Sequence, residues 1–185
     1  MTGTSPDAEI EKLMSALAGG ADDAFAQLEA LVVQYPQEAR LHFLRGSLLI
    51  GAGRAIEAHA ALSEAVALAP DYALARFQLG FFELTSGEPA RARRTWEPLD
   101  AQLAPDHYLV RFANGLRHLI EDRFESAIAE LEAGIAVNDE NLPLNGDMEL
   151  IVAECRKQLN PSQETGEASA TSLLLGQFAT HGTMH

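Results

Sequence analysis

The side chains best suited to catalysis or metal binding in this sequence are six histidines and one cysteine. Histidine serves as an acid, a base or a metal ligand, and cysteine as a nucleophile or a zinc ligand. The spacings that combine them into a zinc site, such as HExxH or CxxC, do not occur in the sequence, and neither does a phosphate-binding loop or a nucleophile elbow. We therefore predict a protein that is not an enzyme and that has no metal site and no cofactor.

The positions of these residues favour the same prediction. His181 and His185 are four residues apart, which could hold a metal ion, but this spacing near the C-terminus is interpreted as coincidence. Cys155 lies between Val152 and Leu159 at helical spacing, which predicts a buried, inert thiol. The other four histidines give no pair that shares a helical face, and they are His42, His59, His107 and His118.

Charge and hydropathy exclude further classes of protein. A formal net charge of −14 repels phosphate backbones and anionic lipids, so we predict no nucleic-acid partner. The one basic cluster, Arg91, Arg93 and Arg94, is interpreted as a solvated helix face. We also predict no membrane insertion and a cytoplasmic location, because no apolar stretch is long enough to span a bilayer and the first residues do not resemble a signal peptide. The length of 185 residues, 47% of them hydrophobic, predicts one compact unit.

A repeat organises the elements that carry these side chains. A glycine precedes an alanine by 12 residues three times, and successive glycines of this set are 34 and 35 residues apart. Because neither residue has a bulky side chain, we predict that two antiparallel helices approach closely at each glycine and alanine. The pairs are Gly46 with Ala58, Gly80 with Ala92 and Gly115 with Ala127.

Glycine and proline also predict where the helices end. Gly53 and Gly87 can adopt a positive φ and so each end the first helix of their pair, and Pro70 ends the second helix of the pair that contains Gly53. Pro98 falls inside a predicted second helix, which predicts a kink or an early break between Trp96 and Ala104.

The period of 34 residues, the stretch PDYALARFQLG from Pro70 to Gly80 and the stretch DRFESAIAELEAGI from Asp122 to Ile135 resemble the tetratricopeptide repeat family. Lys12, where the family has glycine, and Asp139, where it usually has proline, depart from the pattern in the terminal units. The resemblance implies an all-α, right-handed solenoid of about four helix-turn-helix units and a C-terminal capping helix. The units are residues 5–38, 39–72, 73–107 and 108–141, the capping helix lies near 144–159, and the solenoid as a whole spans 5–159 between a disordered N-terminus at 1–4 and a flexible tail at 160–185.

The resemblance further implies that the first helices of the units line a concave groove, in which four recurring positions per unit face a ligand. Phenylalanine recurs at one of these positions in three successive units, so the groove is predicted to be apolar and not to clamp a carboxylate. The alternative is that the rings only pack between adjacent units. The implied groove residues are Arg40, Phe43, Ser47, Ile50, Leu74, Phe77, Phe81, Leu84, Leu109, Phe112, Leu116 and Leu119.

The predicted function follows from that groove. We predict an adaptor or scaffold that binds an apolar peptide or helix of a protein partner. The alternative is a chaperone similar to the small acidic tetratricopeptide chaperones of bacterial secretion systems, which would hold an unfolded or export-competent client in the same groove.

A short apolar segment near the C-terminus is a candidate ligand within the chain itself. It follows a polar stretch from Pro161 to Ala170 that resembles a linker. We predict that it enters the chain's own groove, contacts a second copy, or is recognised by another protein, the alternative being a disordered terminus. The segment consists of Leu173, Leu174, Leu175 and Phe178.

Overall fold

The computed structural model describes residues 6–19 and 23–160, and within these residues the regular structure is entirely helical. This confirms the predicted all-α class. The predicted disorder of residues 1–4 and nearly all of the predicted tail lie outside the described residues. The helices are α1 (Pro6–Ala18), α2 (Ala24–Gln34), α3 (Ala39–Gly51), α4 (Ala55–Leu68), α5 (Ala73–Thr85), α6 (Pro89–Trp96), α7 (Leu99–Gln102), α8 (Tyr108–Ile120), α9 (Phe124–Val137) and α10 (Leu142–Leu159).

The turns inside the helix pairs adopt the left-handed conformation expected of them. Gly53 has a φ of 69° after α3 and Gly87 a φ of 83° after α5, which confirms both predictions. Asp122 takes the corresponding place after α8 with a φ of 53°, although it carries a Cβ. Glycine reaches this region without steric cost, whereas aspartate does so with some strain.

The break predicted at Pro98 is also confirmed. Helix α6 ends at Trp96, and the short helix α7 begins at Leu99, directly after the proline. A proline at this place lacks the N–H needed to continue the helical hydrogen bonds, and its ring clashes with the preceding turn. The second helix of this pair is therefore divided into α6 and α7, with Glu97 and Pro98 between them.

The chain divides into two compact units between Ala75 and Arg76, within α5, and not into the one unit that its length predicted. Helical repeats contact mainly their neighbours along the sequence, so contacts divide more readily than in a single globular core. In the first unit α3 packs against α4, and α2 packs against both α1 and α3 around a core of Ile10, Leu13, Leu28 and Leu41. In the second unit α8 packs against α9, and α9 against α10. The right-handed solenoid spanning 5–159 stays a prediction.

The helices of each pair approach closely at the repeat glycines, as predicted, and the carbonyl oxygen of Ala127 would lie 3.2 Å from a Cβ added at Gly115. The side chain nearest to each glycine is, however, a larger one that the spacing did not identify. An added Cβ at each of the three glycines would lie 2.6 Å from a side-chain atom of the residue 16 positions later. The alanine 12 positions later is fully buried, yet the larger side chain one helical turn beyond it reaches over the glycine. The contacts are Gly46 with Leu62, Gly80 with Trp96 and Gly115 with Leu131.

Candidate functional site

The twelve predicted groove residues differ in exposure between the two units. Those of the second unit are all buried, whereas those of the first unit are exposed or half-buried. The buried residues are Phe77, Phe81, Leu84, Leu109, Phe112, Leu116 and Leu119. The accessible residues are Arg40, Phe43, Ser47, Ile50 and Leu74.

The buried phenylalanines of the second unit belong to one cluster of aromatic rings. The ring centroid of Phe77 lies 6.1 Å from that of Phe81, 6.1 Å from that of Trp96 and 6.2 Å from that of Phe112. Tyr108 meets Phe112 edge to face, with the centroids 5.8 Å apart. Stacked and edge-to-face rings add to the stabilisation that burial itself provides. A ligand would reach these side chains only if their helices separated, so their assignment to a groove stays a prediction.

Trp96, like Tyr108, is a member of this cluster that the predicted groove positions did not include. It is fully buried, and its Nε1 donates a hydrogen bond of 3.0 Å to the main-chain carbonyl oxygen of Phe77. The signal in the sequence was its position 16 residues after Gly80, the same offset at which Leu62 and Leu131 follow their glycines.

In the first unit, α3 presents an apolar face that we call the α3 face, formed by Phe43, Ser47 and Ile50. The rings of Phe43 and Tyr72 contact each other at a tilt, with centroids 5.3 Å apart. The hydroxyl of Ser47 donates to the carbonyl oxygen of Phe43 at 3.1 Å, so it is satisfied within its own helix. Leu74 lies in the same unit, two residues after Tyr72. The α3 face therefore offers apolar surface without an unsatisfied hydroxyl.

Arg40, at the N-terminal end of this face, is held between two carboxylates. It contacts Asp7 of α1 at 2.6 Å and Glu38 at 2.7 Å. The hydrogen bonds that Arg40 donates to Glu38 and to Asp7 raise the pKa of Arg40, and the hydrogen bond from Arg40 lowers the pKa of Glu38. Burial raises the pKa of the Tyr72 hydroxyl; of the nearby charges, that of Arg40 lowers this pKa and that of Glu38 raises it. Arg40 is thus engaged by carboxylates of its own chain.

The remaining arginines of the first unit are also paired with carboxylates. Arg45 contacts Glu29 at 2.6 Å, and Arg54 contacts Glu57 at 2.5 Å. The charge of Glu29 also acts on Arg54, and that of Arg45 on Glu57, so the four groups form one network without net charge.

The histidines have local structural partners. The Nε2 of His42 lies 2.9 Å from the carbonyl oxygen of Pro36, and the Nδ1 of His107 accepts a 3.1 Å hydrogen bond from the backbone N–H of Leu109 at the start of α8. Within residues 6–19 and 23–160, no group of three histidine, cysteine or acidic side chains is arranged to hold a metal ion. His181 and His185 lie outside these residues.

The other predicted features have mixed outcomes. Cys155 is fully buried as predicted, and burial raises its pKa to about 11. The solvated basic cluster is confirmed, since Arg91, Arg93 and Arg94 are all exposed on α6; Arg91 forms an ion pair with Glu83 and Arg93 with Glu121. Among the helices that the structure describes, none is long and apolar enough to cross a membrane. The candidate tail ligand, which comprises Leu173, Leu174, Leu175 and Phe178, falls outside the described residues.

Comparison with known families supports the resemblance seen in the sequence. Residues 49–111, from the end of α3 to the start of α8, match the family model of the tetratricopeptide repeat. A search of curated proteins found no match to the chain. Tetratricopeptide repeats are modules of protein–protein interaction, and the family is not an enzyme family.

Proposed function

We propose that this chain, which carries tetratricopeptide repeat sequence at residues 49–111, is a non-enzymatic adaptor that binds an apolar peptide or helix of a protein partner through the α3 face. The observation that supports this proposal is the accessibility of the α3 face. Phe43 and Ile50 are accessible there, while the equivalent side chains of the second unit are buried.

The packing around Phe43 supports a role as an anchor. Its ring rests on Tyr72 at one side and is half-buried, so its position is set before a ligand arrives. Aromatic side chains held in this way commonly dominate binding energy, because little side-chain freedom remains to be lost. An apolar helix or extended segment that covers Phe43, Ile50 and Leu74 would remove their remaining apolar surface from water.

Photochemical crosslinking tests the proposal directly. A benzophenone amino acid replaces Ile50 on the α3 face in the full chain, and the same amino acid replaces Ile56 of α4 as the control. Ile56 is 88% exposed, so a nonspecific encounter would label it at least as efficiently. We expect one partner segment to crosslink at position 50 and not at position 56. Equal crosslinking at the two positions would count against a site on the α3 face.

Truncation of Phe43 gives a second readout on the same partner segment. Phe43→Ala should weaken its binding by at least about tenfold, as expected for an aromatic anchor. Its cost in stability should stay well below the roughly 3–5 kcal/mol expected for Phe112→Ala in the buried aromatic cluster. Unchanged affinity of the Phe43→Ala variant would contradict the proposed anchor.

The state of the bound segment distinguishes the adaptor from the chaperone alternative. An adaptor is expected to bind a partner that is folded outside the contacted segment, whereas a chaperone holds a client that is unfolded. Hydrogen exchange of the captured partner, with and without this protein, measures the difference. Protected amides throughout the partner favour the adaptor, and rapid exchange outside the bound segment favours the chaperone.

A further inference from the structure

We infer that the segment bound by the α3 face carries basic residues next to its apolar ones; this inference rests on the proposed function and adds the charge of the partner. Its basis is the distribution of paired and unpaired charge around α3. Apolar contact alone would accept a segment of any charge, whereas the charges at this surface discriminate between segments.

The arginines of the first unit offer no positive surface to an acidic partner. Arg40, Arg45 and Arg54 are the arginines of its described part, and each contacts a carboxylate of its own chain within 2.7 Å. A ligand carboxylate would have to displace one of these partners. An acidic segment is therefore disfavoured at the α3 face.

The end of the α3 face nearest Phe43 has a local excess of negative charge. Arg40 sits between Asp7 and Glu38, so this triad carries one more negative than positive charge. Asp71 is exposed and directly precedes Tyr72, whose ring contacts Phe43. A lysine or arginine beside the partner's apolar anchor would thus approach two uncompensated negative charges at the edge of an apolar contact, where the attraction is stronger than in bulk water.

The same charges disfavour two occupants that the chain itself could provide. A second copy carries a net charge of −14 and would be repelled. The segment of the chain at 161–185 contains two glutamates and neither lysine nor arginine, so it lacks the charge that this surface favours. A separate, basic partner segment fits the surface better than either.

Two synthetic amphipathic peptides with identical apolar residues test the inference on the full chain. One has lysine at every polar position and the other has glutamate, and a peptide of residues 161–185 is the third probe. At an ionic strength of about 0.05 M we expect the lysine peptide to bind at least about tenfold more tightly than the glutamate peptide. That advantage should shrink as salt is raised to about 0.5 M, where the Debye length falls to a few ångströms.

Variants then locate the effect and separate it from general attraction to an acidic protein. Asp71→Lys should weaken binding of the lysine peptide by roughly threefold to tenfold. Glu64→Lys on α4, which changes the net charge equally, should change the affinity for this peptide by less than about twofold. Phe43→Ala should weaken the binding of both amphipathic peptides, whereas Ile56→Ala should weaken the binding of neither.

Each outcome decides one of the two proposals. If Phe43→Ala weakens both amphipathic peptides and the two bind equally, the α3 face is supported and the selection for basic segments is overturned. If the lysine peptide binds tightly but responds equally to Asp71→Lys and Glu64→Lys, its attraction is nonspecific and the inference is wrong. If Phe43→Ala has no effect on either peptide, both the site and its charge selection are overturned. If the 161–185 peptide binds most tightly, the selection for basic segments is overturned.

Discussion

Gly80 should tolerate no side chain, because the indole of Trp96 occupies the space that a Cβ would need. A Cβ added at Gly80 would lie 2.6 Å from Cε2 and 2.7 Å from Cδ1 of the ring. Carbon atoms in ordinary contact are about 3.5–4.0 Å apart. The Gly80→Ala variant must therefore displace Trp96, which is fully buried and donates its Nε1–H to the Phe77 carbonyl.

The change in unfolding free energy of Gly80→Ala combines two destabilising effects and one stabilising effect. Overpacking a buried site costs about 1–3 kcal/mol, and loss of the hydrogen bond from Trp96 adds about 1 kcal/mol. Replacing glycine by alanine within a helix returns about 1 kcal/mol through helix propensity. The variant should thus lose about 1–3 kcal/mol of unfolding free energy, which corresponds to a melting temperature lower by roughly 3–9 °C for a chain of this size.

Gly146→Ala is the matched control for this prediction. Gly146 lies within α10, and an added Cβ there would meet no atom within 4 Å. This variant should gain the helix-propensity term alone and be more stable by about 0.5–1 kcal/mol.

Thermal unfolding monitored by circular dichroism measures both variants, and fluorescence adds a local probe because Trp96 is the one tryptophan of the chain. Displacement of the indole should change its emission in Gly80→Ala and leave it unchanged in Gly146→Ala. If both variants melt higher than the parent and emit alike, the space beside Gly80 is not filled by Trp96 and the reasoning fails.

Three further predictions concern single residues. Asp122 has a φ of 53°, so Asp122→Gly should be at least about 1 kcal/mol more stable than Asp122→Val in chemical denaturation. Burial raises the pKa of Asp147 in the folded chain, so its ionisation opposes folding and Asp147→Asn should raise the melting temperature at pH 7. The gain should shrink as the pH falls through the folded-state pKa and vanish only well below the unfolded-state pKa of about 4, where the carboxyl is protonated in both states. Cys155, with its pKa near 11, should react with a thiol reagent at pH 8 at least about a hundredfold more slowly in the native than in the unfolded chain.

The parts of the fold that were predictable from the sequence depend on backbone chemistry. Gly53 and Gly87 predicted left-handed turns, because glycine adopts positive φ values without steric cost. Pro98 predicted a helix break, because proline has a fixed φ and lacks the backbone N–H. The left-handed conformation of Asp122 was not predicted, because aspartate usually has a negative φ and its presence does not indicate such a turn. The turn is imposed by the helices on either side of it.

Packing between helices was less predictable, because periodicity identifies an apolar face but not what covers it. The repeat gave Phe43 and Phe112 equivalent positions, yet one ring is half-exposed against Tyr72 and the other is fully buried among Phe77 and Tyr108. Their difference arises from neighbours far apart in the sequence. The same limit explains why the spacing of glycine and alanine was recognisable in the sequence, whereas the side chain that fills the space at each glycine was not predicted.

The two units consequently differ in the burial of the same repeated positions. In the second unit α6 stops at Trp96, and the indole that replaces the leucine of the other repeats fills the space beside Gly80 while bonding the Phe77 carbonyl. This brings the phenylalanines of α5 and α8 into one buried cluster, where truncation removes stability. In the first unit the ring of Phe43 contacts that of Tyr72, and Phe43 retains accessible surface beside the carboxylates that flank Arg40. Substitutions at equivalent repeat positions should therefore impair folding in one unit and partner binding in the other.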